Sequence, residues 1–165
     1  MSDSLEQRLK AIEDAQAIAP LKAAYCDGWD RWEPLPSDRC EAVLELFVED
    51  AVWDAATYGR CEGRAQLRQA FKSMESQPIG LHCISNPDIR VAGDRATGRW
   101  HVTLAGNQEG AGFLIIGIYD DEFIRTAAGW RFKSVKFTLA CITNLPDRWI
   151  SGVPSHSPPS QPRNQ

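Results

Sequence analysis

The order in which two periodicities follow one another constrains this chain most. Apolar residues at helical spacing occupy its first part, and strand-like runs joined by tight turns fill most of the remainder. From Ser4 to Tyr25, the residues Leu5, Leu9, Ile12, Ile18, Leu21 and Tyr25 recur at helical intervals, with Ser4 placed as N-cap and Gln7 completing a capping box. Pro20 removes a helical hydrogen bond and crowds the preceding turn, so a kink or break is expected around Ile18 to Pro20. Glu33-Pro34-Leu35-Pro36-Ser37 reads as a loop, and Asp38 as the cap of a helix Arg39 to Phe47 whose Val43, Leu44 and Phe47 form an apolar face. Val48 to Asp54 begins the strand-bearing part, Tyr58 to Gly63 is its hairpin partner, and a third helix follows from Arg64 to Met74. Four strand candidates come next: Gly80 to Val91, Ala96 to Leu104, Gly112 to Arg125, and Trp130 to Ile142. Gly93-Asp94 and Ala127-Ala128-Gly129 are suited to hairpin turns between them. Helices first, then a long meander with one helix inserted, predicts an α+β fold in which a curved antiparallel sheet wraps around about three N-terminal helices.

Size and charge narrow the function classes. A chain of 165 residues with 43% hydrophobic residues can bury one real core, and we read residues 1–150 as a single domain. The Pro- and Ser-rich residues 151–165 bury too little apolar surface to order by themselves and are expected to be a disordered tail. Lys and Arg number 18 against 22 Asp and Glu, a net charge of -4 with no long run of either sign. That balance argues against nucleic acid or an anionic membrane as main partner, since both demand clustered positive charge. No apolar run approaches the ~18 residues of a membrane span, and Met1 to Lys10 is polar, so the chain is read as cytoplasmic. Five cysteines, Cys26, Cys40, Cys61, Cys83 and Cys141, are widely spaced without a CxxC, which suggests small buried hydrophobes rather than a disulfide framework or zinc ribbon.

Two residues are candidates for chemistry. Asp30 closes the N-terminal helical stretch, and His82 lies on the strand-like run Leu81-His82-Cys83-Ile84. A carboxylate hydrogen-bonded to an imidazole fixes its tautomer and stabilises the imidazolium, which makes a one-proton base for work near neutral pH. The residues alone leave room for a His82 satisfied by a backbone carbonyl and an Asp30 solvated beside Arg31. Cys83 neighbours His82, so strand alternation turns it to the opposite face. His101 is read as a surface or rim residue and His156, in the tail, as inert. Trp29, Trp32, Trp53, Trp100, Phe113, Tyr119 and Phe137 supply aromatic area, mostly for the core, with a few available to line a cavity for a flat apolar ligand. No phosphate loop, dinucleotide fingerprint, metal motif or serine elbow occurs, so no cofactor and no metal is expected.

Several segments carry a resemblance. Ile12-Glu13-Asp14-Ala15-Gln16-Ala17-Ile18, Tyr25 with Asp30, Leu46 to Trp53, Tyr58 to Gly63, His82-Cys83-Ile84-Ser85-Asn86-Pro87, Ala96 to Trp100, Tyr119 to Phe123 and Gly129-Trp130-Arg131-Phe132 are similar, in order and with few gaps over residues 5–145, to the SnoaL-like branch of the nuclear transport factor 2-like superfamily. The resemblance implies a cone-shaped α+β barrel. It is strongest to the group with scytalone dehydratase, hexachlorocyclohexane dehydrochlorinase and bile-acid 7α-dehydratase, where an aspartate at a helix end and a histidine on a strand take a proton while a leaving group departs. Asp30 and His82 fill those two positions. Tyr25 would then be acid or hydrogen-bond donor, or else a core tyrosine, and Trp29, Trp53, Trp100 and Tyr119 would line the substrate cavity. The chain departs from the group in two places. The strand continuing as His101-Val102-Thr103-Leu104 lacks the acidic residue of the bile-acid enzyme, and Val135 stands nearest the dehydrochlorinase's extra basic residue.

In function, the resemblance implies a lyase without a cofactor, of dehydratase or dehydrohalogenase type, acting on a small hydrophobic cyclic ligand such as a steroid, terpene or polyketide. The alternatives are an isomerase like ketosteroid isomerase and a non-catalytic ligand-binding or assembly module. Relatives associate through the outer sheet face. Here the strands look apolar on both faces, notably Gly112 to Ile118, so a homo-oligomer, trimer or dimer, is expected.

Overall fold

The computed structural model describes residues 4–30, 38–55, 58–75, 80–108 and 111–145. Its elements are α1 (Leu5–Asp27), α2 (Arg39–Leu44), β1 (Phe47–Ala55), β2 (Arg60–Glu62), α3 (Arg64–Met74), β3 (Leu81–Ala92), β4 (Arg95–Gln108), β5 (Ala111–Thr126) and β6 (Gly129–Asn144). The strands form one curved six-stranded sheet in the order β2-β1-β6-β5-β4-β3. The expected α+β architecture is present. The sheet stays open, with β2 and β3 at its edges, instead of closing into a barrel.

Two features differ from a plain antiparallel meander. β3 to β6 pair antiparallel in sequence order, but β1 runs parallel to β6, with Trp53 opposite Val135 and Ala55 opposite Phe137. A parallel neighbour needs a long crossover, here supplied by everything between β1 and β6. Bulges then curve the sheet. The β3–β4 register shifts between Ser85 and Asp88, where Asn86 takes a left-handed φ of 52° that asparagine tolerates, and the β5–β6 register shifts between Ile116 and Gly117. At Gly117 a Cβ would lie 2.3 Å from Phe137 Cε2 and 2.6 Å from the Thr138 carbonyl oxygen, so only glycine lets β6 approach this closely.

α1 is a single helix despite Pro20. The capping box forms as expected, Ser4 Oγ accepting from the Gln7 N–H and Gln7 Oε1 from the Ser4 N–H. Pro20 is on the exposed side, where water can serve the carbonyl left without a helical partner, and no break follows. Leu5, Leu9 and Ile12, expected on the apolar face, are 54–79% exposed, because α1 meets the core through Asp14, Ile18, Lys22, Tyr25 and Cys26. Arg125 pins the helix to the sheet: its guanidinium reaches Asp14 at 2.6 Å and Asp94 at 3.0 Å, and it holds the Asp14 carboxyl below its usual range.

α2 is shorter than its periodicity suggested. It ends at Leu44, and Phe47 instead begins β1 opposite Phe132, where the ladder and an aromatic stack at 5.1 Å outweigh the helical spacing. Asp38 stands at its N-cap position without a side-chain cap bond. α3 has the expected bounds; its buried Leu67 and Phe71 face the core, and Phe71 packs edge-on against Trp29 and Trp53. The loop expected at residues 33–37, Trp32 and the tail lie outside the described residues. No helix among the described residues is long and apolar enough to cross a membrane.

Candidate functional site

The end of α1 builds the site. After Asp27 the chain makes one more tight turn, with Gly28 N–H bonded to Ala24 O and the N–H groups of Trp29 and Asp30 both bonded to Cys26 O. Gly28 permits this turn to pass α2, since a Cβ there would sit 2.3 Å from Val43 Cγ2. Leaving the helix frees Asp30 from the direction, about 140° from Tyr25, that five residues of ideal helix would give it, and lets it reach His82, which lines the same pocket as Tyr25. Asp30, 3% exposed, is aimed at the start of β3.

One carboxylate oxygen does two things. Asp30 Oδ1 accepts the backbone N–H of His82 at 2.9 Å and lies 2.5 Å from His82 Nδ1. Because an ionised carboxylate only accepts, the second contact needs a proton on Nδ1 and leaves Nε2 as the basic nitrogen. The backbone bond fixes the strand, and the ring bond fixes the imidazole. The sequence pairing of Asp30 with His82 is thus realised as a short contact between elements 52 residues apart.

His82 forms part of the wall of a pocket of about 140 Å³. Its aromatic lining comes from Tyr25, Trp29, Trp53, Phe113, Tyr119 and Phe137, joined by Tyr58; Ala55, Val102, Leu104, Ile115 and Met74 complete it. No carboxylate, lysine or arginine is among these lining residues, so His82 is the one described wall residue suited to exchange a proton near neutral pH. The Trp53 indole N–H donates to Tyr25 Oη at 2.9 Å, and burial pushes the Tyr25 phenol above its usual range. Tyr119 is pushed up for the same reason and stands edge-on to Tyr25 at 6.0 Å.

Of the residues singled out in the sequence, the structure gathers Asp30 with His82 and places His82, Tyr25, Trp29, Trp53 and Tyr119 around one pocket. Trp100 does not line it, contrary to the sequence expectation. It shares strand parity with the lining residues Val102 and Leu104 but lies further along β4, where the core is closed and its ring packs on Phe123. His101 is exposed and bonded through Nδ1 to the Asn86 amide, away from the pocket. Cys83 is exposed on the outer face, and burial pushes the thiol of Cys26 up to about 12. Among the described residues no three His, Cys, Asp or Glu side chains gather to hold a metal ion.

Sequence reasoning missed one buried pair. Lys22 and Asp121, both with fully buried side chains, form an ion pair at 2.8 Å behind the pocket wall. Burial pushes the Asp121 carboxyl up to about 6, against the pull of Lys22. The available signal was spacing: Lys22 follows Ile18 by four residues and precedes Tyr25 by three, which sets a cation on the buried stripe of α1.

Comparison with known proteins agrees with this architecture. The family profile described as a SnoaL-like domain matches residues 10–136. An uncharacterized protein of Mycobacterium tuberculosis is 32% identical over 127 residues, which cover 73% of this chain and 81% of that protein. Among solved structures, a candidate aromatic ring hydroxylase from Novosphingobium aromaticivorans superposes with a TM-score of 0.69 at 26% identity, over 81% of this chain and 94% of the other. A type 2 hexachlorocyclohexane dehydrochlorinase gives 0.70 at 19% identity, over 82% and 90% of the two chains. A candidate scytalone dehydratase from Novosphingobium aromaticivorans gives 0.70 at 22%, over 82% and 89%. At those last two identities the likeness is one of fold.

Proposed function

The chain belongs to the SnoaL-like family of the nuclear transport factor 2-like superfamily, and on that premise we propose that it is a lyase working without a cofactor. His82 Nε2 takes a proton from a carbon of the substrate, and the electron pair left behind forms a carbon–carbon double bond. The bond to a leaving group on the neighbouring carbon breaks in turn. Asp30 holds the imidazole and stabilises its charge as it becomes imidazolium. A departing hydroxide needs a proton; the Tyr25 hydroxyl or the new imidazolium supplies it, whereas a departing halide needs none.

The observation that carries this reading is the doubly anchored His82, held by Asp30 Oδ1 at 2.9 and 2.5 Å in the wall of an otherwise uncharged pocket. An open pocket with a basic nitrogen in its wall speaks for catalysis over a purely structural cone. The structural neighbours whose names denote a dehydrochlorinase and a candidate dehydratase lend support to elimination chemistry. The substrate is a small hydrophobic cyclic molecule, a steroid, terpene or polyketide. The space of about 140 Å³ resembles an engineered cavity of roughly 150 Å³ that accepts benzene, so one ring of such a substrate would be enclosed.

A panel of hydroxylated steroid and polyketide ketones, followed by new ultraviolet enone absorbance, tests the proposal. Turnover with loss of water by mass, absent in His82→Ala, is expected. Products of unchanged mass would mean that the imidazolium returns its proton to another carbon, which is isomerisation. Turnover unaffected by His82→Ala would overturn both.

The active form is a homo-oligomer in this proposal, trimer ahead of dimer. Cys83, Thr103, Ile116 and Cys141 are exposed and lie side by side across the outer face of four strands, a stripe without charge for a second copy to cover. Sedimentation as an 18.4 kDa particle at micromolar concentration would reject it.

A further inference from the structure

Lys22 has no place in the chemistry proposed so far, yet it touches the pocket from behind. Its ammonium lies 3.4 Å from the ring centroid of Tyr119 and 4.7 Å from that of Tyr25, with Trp100 and Phe132 at 5.3 and 5.8 Å. The first two rings form part of the pocket wall. A cation against the face of a phenol draws electron density out of the ring and makes its O–H a stronger donor, and a low-dielectric interior increases the effect. The Trp53 N–H, donating into the Tyr25 oxygen, acts in the same direction. Asp121 keeps the ammonium in place without being part of the wall.

We propose that Lys22 is a positioning residue for the reaction: acting through Tyr25 and Tyr119, it strengthens hydrogen-bond donation to the substrate oxygen on which negative charge gathers as His82 removes the proton. The proposal rests on the elimination reading of the same pocket. Its simplest rival is that the ion pair does no more than join α1 to β5. A strengthened donor discriminates by charge, binding an oxygen more tightly the more negative it is. A purely structural pair does not.

The test therefore uses binding and no turnover. A series of substituted phenols from weakly to strongly acidic is titrated calorimetrically into the wild type and into Lys22→Met/Asp121→Leu, a double change that keeps volume and leaves no buried charge unpaired. In the wild type, affinity should rise with phenol acidity. In the variant the slope should flatten, with the most acidic phenol weakened on the order of tenfold and the least acidic almost unchanged. Equal weakening of all phenols, or an unchanged slope, would overturn the proposal, as would a wild type that binds none of them at millimolar concentration. Should the double variant fail to fold, Tyr25→Phe/Tyr119→Phe with Lys22 intact decides: the slope must flatten there too, and a slope that survives refutes the role. If no substrate is ever turned over while the slope behaves as stated, the lyase reading fails and Lys22 remains a determinant of oxygen recognition.

Discussion

Two acid–base pairs join the end of α1 to the sheet, and they are built for opposite ends. Asp30 and His82 meet at the margin of the core, where Asp30 is sealed but the imidazole, held through Nδ1, forms part of the pocket wall. Lys22, in the last third of α1, meets Asp121 of β5 with both side chains fully buried and aromatic rings around the ammonium. The first pair can exist as a neutral ring beside a carboxylate, so one proton can come and go. Two full charges deep in the core cannot lose a partner without leaving an uncompensated charge. Incomplete burial leaves the first pair in reach of the pocket, and complete burial locks the second away from it.

The comparison breaks most visibly in the rate. His82→Ala should lower turnover on the order of 100- to 10,000-fold while its melting temperature stays near that of the wild type. Asp30→Asn, similar in shape but uncharged, should be strongly impaired as well. Because both changes remove the same interaction, the double variant should be little worse than the worse single one. Losses that multiply in steady-state kinetics would show that the two residues act independently.

The second pair should answer in stability. Lys22→Ala or Asp121→Ala alone leaves one buried charge unpaired and should lose roughly 3–5 kcal/mol in denaturant unfolding. The charge-free double variant Lys22→Met/Asp121→Leu should be close to the wild type or above it. A single variant as stable as the wild type would show that water reaches the pair and that it is not sealed as described.

The smallest effect is one of pH. Burial lifts the Asp121 carboxyl to about 6, so between the ordinary carboxylate range and pH 6 the folded chain holds a proton that the unfolded chain has released. The contribution of this group to stability should fall as pH rises through that window and level off above it, with a slope of at most about 1.4 kcal/mol per pH unit. Urea titrations of the wild type and of the charge-free double variant, compared from pH 4 to 7, isolate it. Identical slopes would mean that Asp121 ionises as easily in the fold as outside it.

The sequence disclosed what depends on local pattern. Arg64 to Met74 was legible to its ends because Leu67 and Phe71 set a clean helical face, and Gly93 and Gly129, both at positive φ, marked two hairpin turns. Asp30 and His82 could be paired only by resemblance, and in the structure Asp30 Oδ1 lies 2.5 Å from His82 Nδ1. The features that escaped depend on distant partners. Phe47 fits a helix by spacing and became strand because Phe132 lies opposite it. The parallel seam of β1 and β6 has no local signature at all. Lys22 was hidden because a lysine on an otherwise apolar stripe reads as a solvated interruption until Asp121, 99 positions later, is seen to meet it.

That parallel seam also sets a timetable for synthesis. Trp53 and Ala55 pair with Val135 and Phe137, so the wall of the pocket cannot assemble until almost the whole domain has left the ribosome. Until then β3, β4 and β5 can pair with one another, but β1 and the free edge of β5 lack the strand that joins them. High contact order of this kind slows folding and prolongs the exposure of sticky surface. Translation arrested just before β6 would yield a chain whose β1 lacks its parallel neighbour and whose pocket wall is incomplete, a client for chaperones.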